Sequence, residues 1–148
     1  MFHKRKYKPV NPHKYAGDHT NIIMRSNWET KFAIWCDKNP SVLKWSSEET
    51  VVPYVSPVDN RAHRYFIDFK IQIRKNDGSI KTYLVEIKPE SQTKPPIPPS
   101  RKTQKFIQEV MTWGINEAKW KAAQEYCVEK GWEFQIITEA DLFKKTTK

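Results

Sequence analysis

From Arg64 to Arg74 the chain reads RYFIDFKIQIR, in which apolar and polar residues alternate, Phe66 excepted. A period of two is that of a β-strand with one buried face. Tyr65, Ile67, Phe69, Ile71 and Ile73 fall on one side, and Phe66, Asp68, Lys70, Gln72 and Arg74 on the other. NDGS at 76–79 is a turn, and IKTYLVEIK at 80–88 is the returning strand of a hairpin. Two registers compete. A two-residue loop of Asp77 and Gly78 would put apolar Ile87 on the polar side, opposite Asp68. A three-residue loop of Asn76, Asp77 and Gly78, with the glycine in a left-handed bulge, pairs Lys75 with Ser79. Ile67 then faces Ile87, Phe69 faces Val85 and Ile71 faces Tyr83. This second register keeps one face consistently apolar and is preferred.

The remaining elements follow from periodicity and punctuation. SNWETKFAIWCDKN, from Ser26, has Glu29 three residues after a capping serine, and Trp28, Phe32 and Trp35 give it an apolar stripe that ends before Pro40. EETVVPYVS at 48–56 is a short strand that Pro53 confines to an edge or bulge. Residues 91–102 belong to a proline-rich stretch suited to an extended surface loop. A helical pattern resumes near Thr103 and pauses at Gly114; Asn116 caps a second helix, with Ile115 and Trp120 as a hydrophobic staple, and Gly131 closes it. WEFQIIT is a last strand. The order implies an α+β fold, either a sandwich or a mixed central sheet flanked by helices. Residues 1–25, with Pro9, Pro12, three histidines and no period, read as a basic irregular arm before one domain over 26–148.

Charge sharpens this picture. The 148 residues carry a formal net charge of +9, which favours a polyanionic partner such as nucleic acid. No apolar run is long enough for a membrane span, and none follows the basic N-terminus as a secretion signal would require. A soluble intracellular protein is expected. Cys36 and Cys127, far apart, read as buried free thiols.

The preferred register has a chemical consequence. It places Asp68 directly opposite Glu86, with Cβ atoms about 5 Å apart, where two like charges destabilise a sheet unless something compensates them. A hard divalent cation would do so, since magnesium takes carboxylate oxygens. Lys88 follows on the same face, where an ammonium could orient an attacking water or stabilise charge on a phosphate. On periodicity alone, a solvated face on which Glu86 and Lys88 pair with neighbours such as Lys70 explains the pattern equally well.

Asp68, seventeen intervening residues and then Glu86-Ile87-Lys88 resembles the D…ExK core of the PD-(D/E)XK nuclease superfamily. NPHKYAGD, RSNWETKFAIWCDKNPSVLKWSSEE, PYVSPVDNRAHRYFIDF and WGINEAKWKAAQEYC are similar to the head-completion nucleases of T4-like tailed phages. AKWKAAQEYCVEKGWEFQIITEADL also resembles part of the transposon-end endonucleases of the same fold. The superfamily's proline is absent, Ile67 standing before Asp68. The resemblance implies a metal-dependent DNA endonuclease that uses magnesium, with manganese as a substitute. Asp68, Glu86 and the carbonyl of Ile87 would bind the metal and Lys88 would position the water. Glu29, on the first helix, would be a further catalytic or metal-associated carboxylate, although the capping box with Ser26 accounts for it too. Its partners would be DNA and the portal or neck proteins of a phage head, in the host cytoplasm or at the head–neck junction. A non-catalytic head-completion factor on a nuclease scaffold is the alternative.

Lys4, Arg5, Lys6, Lys8 and Lys14 of the arm, with Arg101, Lys102 and Lys105 near the proline-rich loop, are candidates for phosphate contacts; for the arm, docking onto a head or neck protein competes as an explanation. Lys119, on the last long helix, could join them or remain solvated. His63 is a lone loop histidine outside the site. Trp28, Trp35 and Trp120 are expected in the core.

Overall fold

A computed structural model of the chain describes residues 4–143. Its centre is a four-stranded sheet of β3 (Val42–Ser47), β6 (Phe69–Arg74), β7 (Ile80–Ile87) and β8 (Glu133–Ile137), in that order. β3, β6 and β7 pair antiparallel, and β8 joins β7 in parallel, so the sheet is mixed as expected. Helix α1 (Asn27–Lys38) covers one face and α2 (Gln104–Lys130) the other. A hairpin of β4 (Val51–Val55) and β5 (Ala62–Phe66) packs under α2, and a short α3 (Glu139–Leu142) ends the described chain. None of these helices is long and apolar enough to cross a membrane.

The hairpin register is the one that keeps an apolar face. Phe69 pairs with Val85 and Ile71 with Tyr83, and Lys75 N–H donates to Ser79 across a loop in which Gly78 has φ +87°. The single strand expected over 64–74, however, is two. β5 pairs with β4 and ends at Phe66; β6 starts at Phe69. Between them Ile67 N–H donates to Thr50, and the Asp68 carbonyl accepts from Glu48 N–H. Tyr65 and Ile67 therefore fall into the core beneath α2, with Leu84 and Trp120, whereas Phe69, Ile71 and Ile87 fall into the core beneath α1. Ile67 and Ile87 are not partners on one face. The physical reason is that both faces of the sheet are covered: Leu84, Val85, Glu86 and Ile87 are all buried, as in the inner strand of a layered α/β sheet.

α1 begins where its cap predicts. Ser26 Oγ accepts from Glu29 N–H at 3.1 Å, while Glu29 Oε1 reaches back to Arg25 N–H, one residue beyond the usual capping-box donor. Ser26→Ala should cost about 1 kcal/mol in urea unfolding. The inward stripe is Phe32, Ala33 and Cys36; Trp35 is 44% exposed and stacks on Phe32 rather than entering the core. Both cysteines are free and buried.

α2 runs through Gly114 without the expected pause, and Asn116 is buried inside it rather than capping a new helix. The burial of Trp120, Ala123 and Cys127 along the same helix outweighs the ~1 kcal/mol penalty of a helical glycine. Thr103 caps its start, and Gly131, at φ +76°, its end. Residues 93–102 contain neither helix nor strand, in keeping with a surface loop.

The N-terminal segment is not an irregular arm. β1 (Arg5–Tyr7) pairs antiparallel with β2 (Ile22–Met24), and Tyr15, Ile22 and Met24 belong to the core under α1. Asp37, fully buried near the end of α1, accepts from the Tyr7 hydroxyl and from the Val10 and Asn11 N–H groups, tying the segment down. β3 has no counterpart in the hydrophobic pattern. A register shift between Val42 and Lys44 brings Val42 and Trp45 into the same core although they are three residues apart, which hides the period of two.

Candidate active site

Asp68 occupies the break between β5 and β6, and Glu86 the buried penultimate position of β7. Where the ladder stops, the Asp68 carboxylate takes the place of a strand partner: Oδ2 accepts from Ile87 N–H at 2.8 Å. This holds Asp68 against Glu86. Burial, then the charge of Glu86 and, more weakly, that of Glu29 push the Asp68 carboxyl up to about 8 against the opposing pull of the Ile87 N–H. Glu86 is also raised by burial, against the opposing pull of Tyr65, Lys88 and Lys119. Two carboxyl groups are thus held together in a buried place where both cannot ionise cheaply without a cation.

Around Glu86 each oxygen has a different neighbour. Oε1 accepts from the Tyr65 hydroxyl at 2.6 Å, and Oε2 lies 3.8 Å from Lys88 Nζ. Lys88 continues from the end of β7 into a cleft of about 420 Å³ lined by Ser26, Trp28, Glu29, Ile87 and Gln92. Glu29 faces the same cleft from the start of α1, and Glu86 is among the charges that raise its carboxyl after burial. Its carboxylate accepts from Arg25 N–H, so it borders the pair without closing a ligand set. Among the described residues no three His, Cys, Asp or Glu side chains form a group that could hold a metal. The expected Asp68, Glu86 and Lys88 are brought together; Glu29 is their neighbour, in its capping conformation.

Lys119 belongs to this site more closely than its sequence context implied. Its Nζ stands 5.4 Å from the Tyr65 ring centroid and 5.9 Å from that of Tyr54, and its charge acts on Glu86. The assignment of Lys14 as a phosphate contact is overturned. Its ammonium is buried and donates to the carbonyls of Cys36, Asp37 and Asn39 at 2.8–2.9 Å, closing the C-terminus of α1. Lys4, Arg5, Lys6 and Lys8 are exposed on and beside β1; Arg5 lies opposite Met24, so that end of the strand points toward the start of α1. Arg101, Lys102 and Lys105 are exposed at the entry to α2. His63 pairs with exposed Asp59 at 2.8 Å, and its ring lies 5.7 Å from that of Tyr54.

Tyr65 is the site residue that periodicity hides. In an alternating strand it counts as one more apolar position, yet a tyrosine buried that deeply needs a hydroxyl partner. A nearby strand that buries a glutamate is the signal that could have named one.

Residues 39–139 match the family described as TnsA-like endonuclease, N-terminal. The chain belongs to this endonuclease family. Asp68, Glu86, Lys88, Tyr65 and Lys119 all lie inside the matched stretch, and Glu29 precedes it. The chain is also 40% identical over 146 residues to the head completion nuclease of Enterobacteria phage T4, spanning 96% of this chain and 95% of that protein. The α+β architecture, a mixed sheet between helices with Asp68 and Glu86-Ile87-Lys88 at the edge of its pairing, is that of a PD-(D/E)XK endonuclease domain.

Proposed function

We propose that this endonuclease-family protein is a divalent-metal-dependent deoxyribonuclease acting in phage head completion, where it trims the DNA ends of the packaged head before tails join. The observation that carries the reading is the buried pairing of Asp68 with Glu86, with Lys88 3.8 Å from the Glu86 carboxylate. The near full-length likeness to a head completion nuclease supports the biological setting. DNA and head, portal or neck proteins are the partners this implies, in the host cytoplasm and at the head–neck junction.

The donors fit magnesium, for which manganese would substitute. Magnesium is commonly held by one or two carboxylates together with substrate phosphate and water rather than by a closed protein cage. Asp68 and Glu86 supply the carboxylates, and the Ile87 carbonyl a third hard oxygen. When bound, the metal polarises the scissile phosphate and makes its water easier to deprotonate. Lys88 orients the water and offsets charge that develops on the phosphate. The water oxygen bonds to phosphorus as the bond to the 3′-oxygen breaks; that oxygen takes up the proton the water gives up, leaving a 3′-hydroxyl and a 5′-phosphate. Lys119, Lys4, Arg5, Lys6, Lys8, Arg101, Lys102 and Lys105 would meet the backbone phosphates of DNA, which makes binding independent of sequence and sensitive to salt.

Single-turnover cutting of end-labelled DNA by Lys88→Met tests this reading. The expected result is a fall of about a hundredfold in rate with DNA binding kept within a few-fold. An unchanged rate would remove Lys88 from the chemistry. DNA binding without any cutting by the wild type, on linear or supercoiled DNA, would favour a non-catalytic head-completion factor.

A further inference from the structure

We propose that Tyr65 is a positioning residue that fixes Glu86 for metal binding, an inference that rests on the metal-dependent reading above. Tyr65 is 3% exposed and donates to Glu86 Oε1 at 2.6 Å, a short bond of the charge-assisted kind. It reaches Glu86 from outside the central sheet. β5 pairs only with β4, where Tyr65 lies opposite Val52, and Ile67 N–H anchors the following turn to Thr50. The ring is fixed in the α2-side core beside Trp120, and Lys119 Nζ stands over it at 5.4 Å. A rigid ring on a separate hairpin thus holds one oxygen of a buried glutamate.

That bond decides which oxygen is left. Oε1 is engaged by the hydroxyl, so Oε2, beside Lys88, is the oxygen presented to a cation. Carboxylates that hold metal depend on such outer hydrogen bonds for orientation, and losing one typically weakens metal binding tenfold or more. Without the hydroxyl, Glu86 loses the contact that sets its rotamer. Phenylalanine at 65 retains the ring and its packing.

The test is Mn2+ binding to the full chain in the absence of DNA, followed by electron paramagnetic resonance, for wild type, Tyr65→Phe and Tyr54→Phe. Tyr54 lies under the same lysine, 5.9 Å from its Nζ, and serves as the control. Tyr65→Phe is expected to weaken Mn2+ binding about tenfold while Tyr54→Phe leaves it within about twofold. Raising the metal concentration should then restore most of the DNA-cutting rate to Tyr65→Phe. Equal Mn2+ affinity in a folded Tyr65→Phe chain would overturn the positioning role alone. A wild type that binds no Mn2+ would overturn the metal-dependent reading with it. A second measurement needs no variant: the Tyr65 hydroxyl proton should give a slowly exchanging downfield NMR signal that shifts as Mg2+ is added. A signal that stays in place while Mg2+ binds would also overturn the role.

Discussion

Asp68→Asn is expected to reduce DNA cutting about a thousandfold and, in metal-free buffer, to make the protein more stable. The two effects have one cause. Asp68 and Glu86 are held together in a buried place, and the Asp68 carboxyl is pushed up to about 8 by burial and by Glu86. Asparagine keeps an oxygen able to accept the Ile87 N–H bond now made to Oδ2, so the local backbone has no reason to move. It removes an ionisable group that must take up a proton at neutral pH to sit buried beside Glu86, and with it half of the carboxylate pair that a cation would neutralise. Loss of a metal ligand costs several kcal/mol of transition-state stabilisation, which is the thousandfold. Because Asp68 must gain a proton on folding at neutral pH and asparagine need not, the substitution should raise the unfolding free energy by about 1–3 kcal/mol. Urea unfolding in the presence of chelator measures the gain; adding magnesium should stabilise the wild type and leave Asp68→Asn unchanged. A variant that is less stable than wild type would mean that Asp68 serves the fold rather than the chemistry.

The second large effect lies far from the carboxylates in function. Lys14→Met should cost about 3 kcal/mol of stability, because it leaves the carbonyls of Cys36, Asp37 and Asn39 buried without their donor. DNA affinity should not change, in contrast to what a basic N-terminal segment suggests. The same knot predicts how the protein responds to acid. Burial alone would raise the Asp37 carboxyl, but the Tyr7 hydroxyl, the Val10 and Asn11 N–H groups and Lys14 outweigh it and hold the group below the ordinary range. A depressed carboxylate contributes its full stability above about pH 4 and loses it as pH falls through the lowered value. Asp37→Asn should therefore be less stable than wild type at neutral pH, and the difference should shrink as pH falls below about 4. Urea unfolding across that range measures it.

The elements that were legible in the sequence were those whose determinants are local. The turn at Asn76–Gly78 and the apolar positions beside it are enough to set the β6–β7 register, which carries Asp68 to the end of the ladder, where its carboxylate accepts from Ile87 N–H beside Glu86. Ser26 and Gly131 announce the ends of helices because the chemistry of capping sits within a few residues. What failed depends on what covers the sheet. Tyr65 and Ile67 look like the same face as Phe69 until β5 leaves for β4 and turns them toward α2. β1 and β2 have three residues each, too few to show a period, and Lys14 reads as a DNA contact because nothing nearby reveals the helix end it closes. For the candidate site, Glu86 and Lys88 could be read because they share one strand; Tyr65 could not, because its partner lies 21 residues away on a different sheet.

The central claim is that Asp68 and Glu86 form a metal-dependent centre for DNA hydrolysis, and one assay meets it directly. End-labelled linear DNA and supercoiled DNA are incubated with wild type and Asp68→Asn in magnesium, in manganese and in chelator. Cutting by the wild type in both metals, none in chelator and a rate about a thousandfold lower for Asp68→Asn is the expected result. Cutting that persists in chelator, or that Asp68→Asn carries out at the wild-type rate, would contradict it.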